Sequence, residues 1–427
     1  MIAQNGIASA KRTKNERSGV HGWHPYYAGY SEKFVATAIK HLNLTEKNIV
    51  LDPWVGSGTT NLVCDKLGIP SVGIDINPAM VNFASGKQSC LLSYDFLTPL
   101  IEEIKDSHLL SPPDSVLPEL REFFSNRSAR LFTGLIQFVQ NLNIDLPPLN
   151  SSLREISTSI ERLNPIRAFL LSAVFITART LSGYSRASNP TWYRVITEKP
   201  EHTESMVKTT FIKTLNRMHD EIQQAHGFGT HDCNYLNQCA SALGIPHRSR
   251  KFDAVITSPP YLTRIDYAVS TKLELLLLGG SKHFRDLRER TMGAPIIRSE
   301  TSPVNQKWGS KACDLMSLIS EHGSKASKSY YVKNISQYFE DAYTSLNEIH
   351  RVLKGKGVAL VVVQSSYYKE HEIQLGEIYV EMGKNIGFNA DIVFREEVKG
   401  HMAHVNSKSS LYKKDKVYFE DVVSLTK

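Results

Sequence analysis

The chain has 427 residues, 41% of them hydrophobic and 22% charged, with a formal net charge of +7. These proportions are those of a folded globular protein and exclude a disordered or fibrous one; the length accommodates a catalytic domain of about 250 residues and a second region. The most apolar run, residues 168–181, is too short to span a bilayer and carries Arg179, and the five cysteines have no paired spacing, which points to a reducing compartment.

Residues 1–20 are polar and basic (Lys11, Arg12, Lys14, Arg17) and have no apolar stretch of the secretory kind. They read as a disordered basic tail, either solvated or an arm for phosphates. Residues 21–90 read as a ligand-binding half: an aromatic-rich lead-in, a helix over Ser31–Leu42, then strand, loop, helix and strand. Ile49-Val50-Leu51 is an apolar strand that runs into Asp52-Pro53-Trp54-Val55-Gly56-Ser57-Gly58-Thr59-Thr60. Gly56 and Gly58 allow a positive φ and a close backbone approach to a ligand. A helix pattern follows to Leu67. Ser71-Val72-Gly73-Ile74-Asp75 then reads as a strand ending in a carboxylate, the place where a nucleotide-binding unit accepts ribose hydroxyls. Asn77-Pro78 opens the next helix.

Residues 91–225 read as mainly helical, with apolar steps of three and four over Glu119–Leu142 and Pro165–Leu181. Pro112-Pro113 and Pro147-Pro148 mark loops between helices. Ser182–Arg194 interleaves small polar residues, aromatics and arginines. Arg186, Trp192 and Arg194 suit contact with a phosphate backbone or a base, or equally an ordinary loop anchored by Trp192 and Tyr193.

Residues 226–427 read as a second, catalytic half. The strand Ala254–Thr257 ends in Ser258-Pro259-Pro260-Tyr261. Two prolines lack N–H groups and have fixed φ, so they stop the strand and hold the next backbone rigidly. A hydroxyl precedes them and an aromatic ring follows. That arrangement can accept hydrogen bonds from an exocyclic NH₂ group and stack a planar base, as methyl transfer to an amino nitrogen requires. Arg264 follows the turn closely. An apolar helix is predicted over Leu273–Leu278. Residues 281–335 form a polar, basic insertion with few strand or helix signals; Lys282, Arg285, Arg288 and Arg290 recur on one side of it, a DNA-facing element or a solvated helix face. A helix over Ile335–Leu353, a strand over Val358–Val363, a helix over Leu375–Ile386 and two terminal strands near Ala390–Phe394 and Asp415–Val423 complete the pattern. His231, Cys233, Cys239 and His247 fit no usual zinc spacing, so no metal site is expected.

These segments resemble the amino-methylating DNA methyltransferases, especially the N4-cytosine type with a Ser-Pro-Pro-Tyr motif. His24-Pro25-Tyr26 and Ser31-Glu32-Lys33-Phe34 look like the family's N-terminal cofactor motif. Asp52–Thr60 looks like its glycine loop, with Trp54 where Phe is usual. Asp75-Ile76-Asn77-Pro78 looks like its ribose-binding turn, and Val352–Gly357 with the strand after it looks like its fifth strand. Many members place the catalytic motif first; here the cofactor half leads, which resembles the order with the target-recognition region between the halves, at residues 91–225.

The resemblance implies a Rossmann-like α/β class I methyltransferase fold, with a mostly parallel seven-stranded sheet and a largely helical insertion. It implies S-adenosylmethionine as cofactor, double-stranded DNA as partner, a prokaryotic cytoplasmic setting, and in many cases a cognate restriction endonuclease. It implies cofactor roles for His24, Pro25, Tyr26, Pro53, Trp54, Gly56, Gly58, Thr59 and Asn77, with Asp52 near the methionine amino group, Asp75 on the ribose and Asp232 near the adenine. Ser258 and Pro259 would accept the amino hydrogens and Tyr261 would stack on the flipped base. No cysteine follows a proline, which by the same knowledge excludes cytosine-C5 chemistry. N6 of adenine presents a similar amino group and stays open as the target. RNA methyltransferases acting on guanine N2 are a further alternative, although they usually carry Asp in place of Ser258. A non-catalytic nucleic-acid binder would have damaged motifs, and here both are intact.

Overall fold

A computed structural model describes residues 6–13, 15–25, 29–107, 118–156, 162–182, 185–186, 193–194, 197–262, 266–279, 281–298, 303–324, 326–398 and 416–427. Seven strands form one sheet: β1 (Val50–Asp52), β2 (Ser71–Asp75), β3 (Tyr235–Cys239), β4 (Phe252–Thr257), β5 (Leu353–Gln364), β6 (Asn389–Glu397) and β7 (Phe419–Thr426). Their spatial order is β3-β2-β1-β4-β5-β7-β6. Every pairing from β3 to β5 is parallel, and only β7 runs against its neighbours. The expected Rossmann-like α/β sheet is therefore present. Its central strands are near-continuous apolar runs because both faces are covered: Val50, Leu51, Val255, Ile256 and Leu360 are all fully buried.

The chain runs outward from β1 to β3 and then returns to β4 on the other side of β1. The sheet thus reverses direction between β1 and β4, and a crevice opens beyond the strands' carboxyl ends there. Helix α1 (Glu32–His41) is capped by the Ser31 hydroxyl, which accepts from the Phe34 N–H. Helices α2 (Thr59–Lys66) and α3 (Pro78–Ser85) follow β1 and β2.

The region between β2 and β3 is helical, as its periodicity indicates: α4 (Leu97–Asp106), α5 (Asn126–Asn141), α6 (Pro165–Leu181) and α7 (Glu204–His226). Asn164 sets the start of α6, accepting from the N–H groups of Ile166 and Arg167, with Pro165 at the first helical position. These helices do not build a core of their own. Phe169 and Phe175 of α6 and Phe211 of α7 pack in one cluster with Leu62 of α2 and Phe83 of α3.

Two expectations need correction. From residue 6 onward the N-terminal stretch is largely packed rather than a disordered tail: Ile7, Ala8 and Ala10 are buried, and the Ser31 N–H donates to the Ala10 carbonyl at 2.8 Å. Ile7 and Ala10 suffice here because α1, α2 and the strands β1, β4, β5 and β7 supply most of the rest of their cluster. The polar insertion also holds regular structure, with α8 (Lys272–Gly279) just before it, then α9 (Ser281–Arg290) and α10 (Ser310–Glu321). Helix α10 buries Ala312, Leu315, Met316 and Ile319, a helical stripe obscured by polar flanks. Helices α11 (Val332–Val352) and α12 (Leu375–Ile386) flank β5.

Candidate active site

A cleft, open at its mouth, lies beyond the carboxyl ends of β1, β2, β3 and β4. The β1 end supplies Pro53 and Trp54, and the chain then turns through Gly56 (φ 49°) and Gly58 (φ 86°). Gly58 is required twice over: its φ is left-handed, and a Cβ there would sit 2.9 Å from the Ala84 Cβ on α3. The loop is fastened to β2. The Gly56 N–H donates to Asp75 Oδ2 at 2.9 Å, and the Asn77 N–H donates to Asp75 Oδ1 at 2.8 Å. Burial raises the Asp75 carboxyl to about 6, against the pull of these N–H donors. Asn77 caps α3 through Ala79, and its amide donates to the Thr271 hydroxyl at 2.9 Å. Asp75 and Asn77 both line the cleft.

Asp52 faces away from the cleft. It is 1% exposed, and its oxygens accept from the Thr257 hydroxyl (2.5 Å), the Tyr30 hydroxyl (2.6 Å) and the Trp54 N–H (3.2 Å). Burial raises its pKa, and these donors oppose that rise. With its oxygens engaged inside the protein, Asp52 joins β1, β4 and the N-terminal segment. Thr59 is buried in the same layer, where its hydroxyl accepts from Arg12, whose Nε donates to the Tyr30 carbonyl at 2.9 Å. From below the loop, the buried Lys87 ammonium donates to the Ser57 carbonyl at 2.7 Å; burial lowers its pKa to about 7.

At the end of β4, Ser258, Pro259 and Pro260 line the cleft, across the reversal point from Asp75. The Ser258 hydroxyl donates to the Val362 carbonyl at 3.1 Å, and the Pro260 carbonyl accepts from the Tyr338 hydroxyl of α11 at 3.0 Å. The Tyr261 N–H donates to the Tyr267 hydroxyl at 3.2 Å. Burial, with the negative charge of Glu420 next in weight, holds the Tyr261 pKa well above 10.

The remaining wall comes from Ser241, Ala242 and Leu243 beyond β3 and from Arg290, Thr291 and Met292 at the end of α9. Asp232 was expected in this region, and the structure corrects that. It precedes β3, at the opposite end of that strand from the cleft, half-exposed and 3.7 Å from Arg154. His24 is buried against Phe83, with ring centroids 5.3 Å apart and Arg179 Nη2 3.4 Å from its Nε2, and it is not on the cleft wall; Pro25 is exposed. Tyr26, Trp192 and Arg264 lie outside the described residues. Arg186 and Arg194 sit on a two-residue ribbon, Ser185–Arg186 with Tyr193–Arg194, whose side chains are likewise not described. Arg285 is exposed on α9, Arg288 is tied to Asp266 (2.8 Å), and Arg290 is a cleft residue. The sequence carried no local signal for Tyr30, Arg12, Lys87 or Tyr267, of which the first three reach this region from other segments.

Residues 6–85 match a family model described as DNA methylase. The chain is similar to the type II methyltransferase M.BsoBI of Geobacillus stearothermophilus, 29% identical over 66% of this chain and 57% of that protein. It is similar to M.AvaI of Nostoc sp., 23% identical over 88% of this chain and 80% of that protein. It is also similar to M.MvaI of Kocuria varians, 24% identical over 87% of this chain and 82% of that protein. The match to M.BsoBI thus spans little more than half of that protein's length.

Proposed function

We propose that this chain, a member of the DNA methylase family, transfers a methyl group from S-adenosylmethionine to the exocyclic N4 amino group of cytosine in duplex DNA. The observation that carries the reading is the position of Ser258-Pro259-Pro260-Tyr261 at the end of β4, across the sheet's reversal point from Asp75 and the glycine loop.

The residues present fit the cofactor. The Asp75 carboxylate on the cleft is an acceptor at a strand end, and Leu243 and Ile76 offer apolar faces to a purine. Asp75 would take the ribose hydroxyls, the Gly56–Gly58 turn would pass beside the methionine portion, and Ser241–Leu243 would border the adenine. The cofactor supplies a methyl group on a positively charged sulfur.

The target nitrogen is a weak nucleophile because its lone pair is delocalised into the ring. Ser258 and the Pro259 carbonyl accept its two hydrogens, which localises the lone pair and stabilises the positive charge that develops. A stacked base cannot reach this site, so it is flipped out at a cost of a few kcal/mol, and the Tyr261 ring recovers part of that. Arg285 and the ribbon arginines Arg186 and Arg194 hold the phosphates. Residues 91–225 read the target sequence, and a cognate restriction endonuclease is the expected partner. Among the described residues no helix is long and apolar enough to cross a membrane.

The test is incubation with unmethylated DNA and labelled S-adenosylmethionine, followed by nucleoside mass spectrometry. N4-methylcytosine is expected. N6-methyladenine would keep the site and move the target base. Label on RNA alone would overturn the reading.

A further inference from the structure

Lysine is seldom wholly buried unless a carboxylate accompanies it. Lys87 is 1% exposed, and among the described residues it has no ion pair. Glu32 and Glu221, the acids whose fields reach it, are engaged elsewhere: Glu32 with His21 and Lys66, and Glu221 with Trp23 and Arg217. Such a cation costs stability, because burial takes its charge out of water without a partner to offset the loss. A methionine of similar length would fill the same space without that cost.

The ammonium is spent on the glycine loop. It donates to the Ser57 carbonyl at 2.7 Å and stands 5.6 Å from the centre of the Trp23 ring. The Lys87 carbonyl, 2.9 Å from His226 Nε2 at the end of α7, anchors the backbone. Lys87 follows α3 closely, and α3 packs on the same loop, with Ala84 against Gly58.

Ser57 is the middle residue of the Gly56-Ser57-Gly58 turn. The backbone groups around it are satisfied locally. The Gly56 N–H goes to Asp75, the Gly58 N–H goes to the Val55 carbonyl at 2.8 Å, and the Gly58 carbonyl accepts from the Leu62 N–H of α2 at 3.0 Å. The Ser57 carbonyl precedes that helix. Ser57 is buried, so its carbonyl needs a donor from the protein. Lys87, which is not on the cleft wall, supplies it from the other side of the loop.

We propose that Lys87 is a positioning residue for the cofactor: by holding the Ser57 carbonyl away from the cleft, it keeps the cleft side of the turn open for the methionine portion of S-adenosylmethionine. The inference rests on the cofactor reading above. Without the lysine, the Ser57 carbonyl has no buried donor. Its peptide then rotates toward water in the cleft and fills the space beside Gly56 and Gly58. Lys87 acts through Ser57 and touches no substrate. The neutral amine also carries N–H donors, so the contact survives titration of the group.

The experiment measures S-adenosylmethionine affinity by calorimetry at about pH 8 for wild type, Lys87→Met and Lys87→Gln; Asp75, which titrates at about 6, is ionised there. Lys87→Met should bind about tenfold more weakly, the effect of one unmet hydrogen bond. Lys87→Gln keeps a neutral N–H donor on a shorter chain and should recover part of the loss.

Urea unfolding without cofactor at about pH 6 separates positioning from plain structure. Burial lowers the Lys87 pKa from 10.5 to about 7; Arg12 adds to the fall, and Glu32 and Glu221 oppose it. His21 and His226 also stand near it. Below about 7 the buried charge is present and its full cost falls on the folded protein, so Lys87→Met should unfold at the same or a higher urea concentration than wild type. Lys87→Met with wild-type affinity would overturn the proposal and leave the methyltransferase reading standing. So would joint loss of affinity and stability, which marks a structural residue, or a Lys87→Gln protein that binds no better than Lys87→Met. A wild-type protein that binds no S-adenosylmethionine would overturn the cofactor reading and the proposal together.

Discussion

Asp52 accepts the hydroxyl hydrogen of Thr257 at 2.5 Å, across 205 residues of sequence. The first residue ends β1 and the second ends β4. The bond closes the floor of the crevice at the point where the sheet reverses, and the glycine loop and Ser258 each begin within a few residues of it. The contact ties the ends of β1 and β4 together beneath the proposed site.

Thr257→Val keeps the shape and removes the hydroxyl. The buried Asp52 carboxylate then loses one of its three donors, which should cost about 1–3 kcal/mol of stability. Denaturant unfolding measures it, and methyl transfer should fall with it as the two halves lose register.

Asp75 is the group whose ionisation should govern cofactor binding. Its carboxyl is raised to about 6, and only the ionised form can accept both ribose hydroxyls. Affinity for S-adenosylmethionine should be full above that value and weaken as pH falls through it, approaching tenfold per unit. Calorimetry between pH 5 and 8, on the order of one unit or more either side of the titration, reads the curve. Asp75→Asn should bind at least about tenfold more weakly and show no such pH dependence.

Ser258→Ala separates binding from chemistry. On the proposed reading the hydroxyl meets the target nitrogen and not the cofactor, so cofactor affinity should stay as it is while the single-turnover rate drops about 100-fold or more. Equilibrium dialysis and rapid quench on the same preparation distinguish the two.

Arg179 of α6 donates from Nε to Glu274 of α8 at 2.8 Å and from Nη2 to the Ser270 carbonyl at 3.0 Å. The Glu274 side chain is 0% exposed. Arg179→Met should therefore cost about 3–5 kcal/mol by stranding a buried carboxylate, and adding Glu274→Leu should recover much of it. Thermal unfolding of the two variants checks this.

Two arginines three residues apart on α9 should behave differently. Arg285 is exposed, so Arg285→Ala should weaken DNA binding evenly across sequences and reduce the salt slope by about 1. Arg288 holds the buried Asp266, whose carboxylate also caps the helix Tyr267–Ser270 through the Val269 N–H. Arg288→Ala should lower stability first. Salt-dependent binding by fluorescence anisotropy, with unfolding in parallel, resolves them.

What the amino-acid sequence determined by itself was local. The apolar run of β4 ending in two prolines, the glycine loop after β1, the carboxylate at the end of β2 and the periodicity of α6 all lie within short stretches, where steric limits and apolar spacing act between near neighbours. These patterns were enough to assign the α/β sheet. Side-chain direction was decided only by the fold. Asp52 and Asp75 are both acids at strand ends in the sequence, yet Thr257 and Tyr30 draw Asp52 inward while Asp75 stays at the cleft. Asp232 precedes its strand and so falls at the wrong end of the sheet. Ile7 and Ala10 look like part of a solvated tail until α1, α2 and the sheet supply the surface that buries them. A contact such as that of Asp52 with Thr257, 205 residues apart, arises from burial in the assembled sheet, and no short stretch of sequence contains both partners.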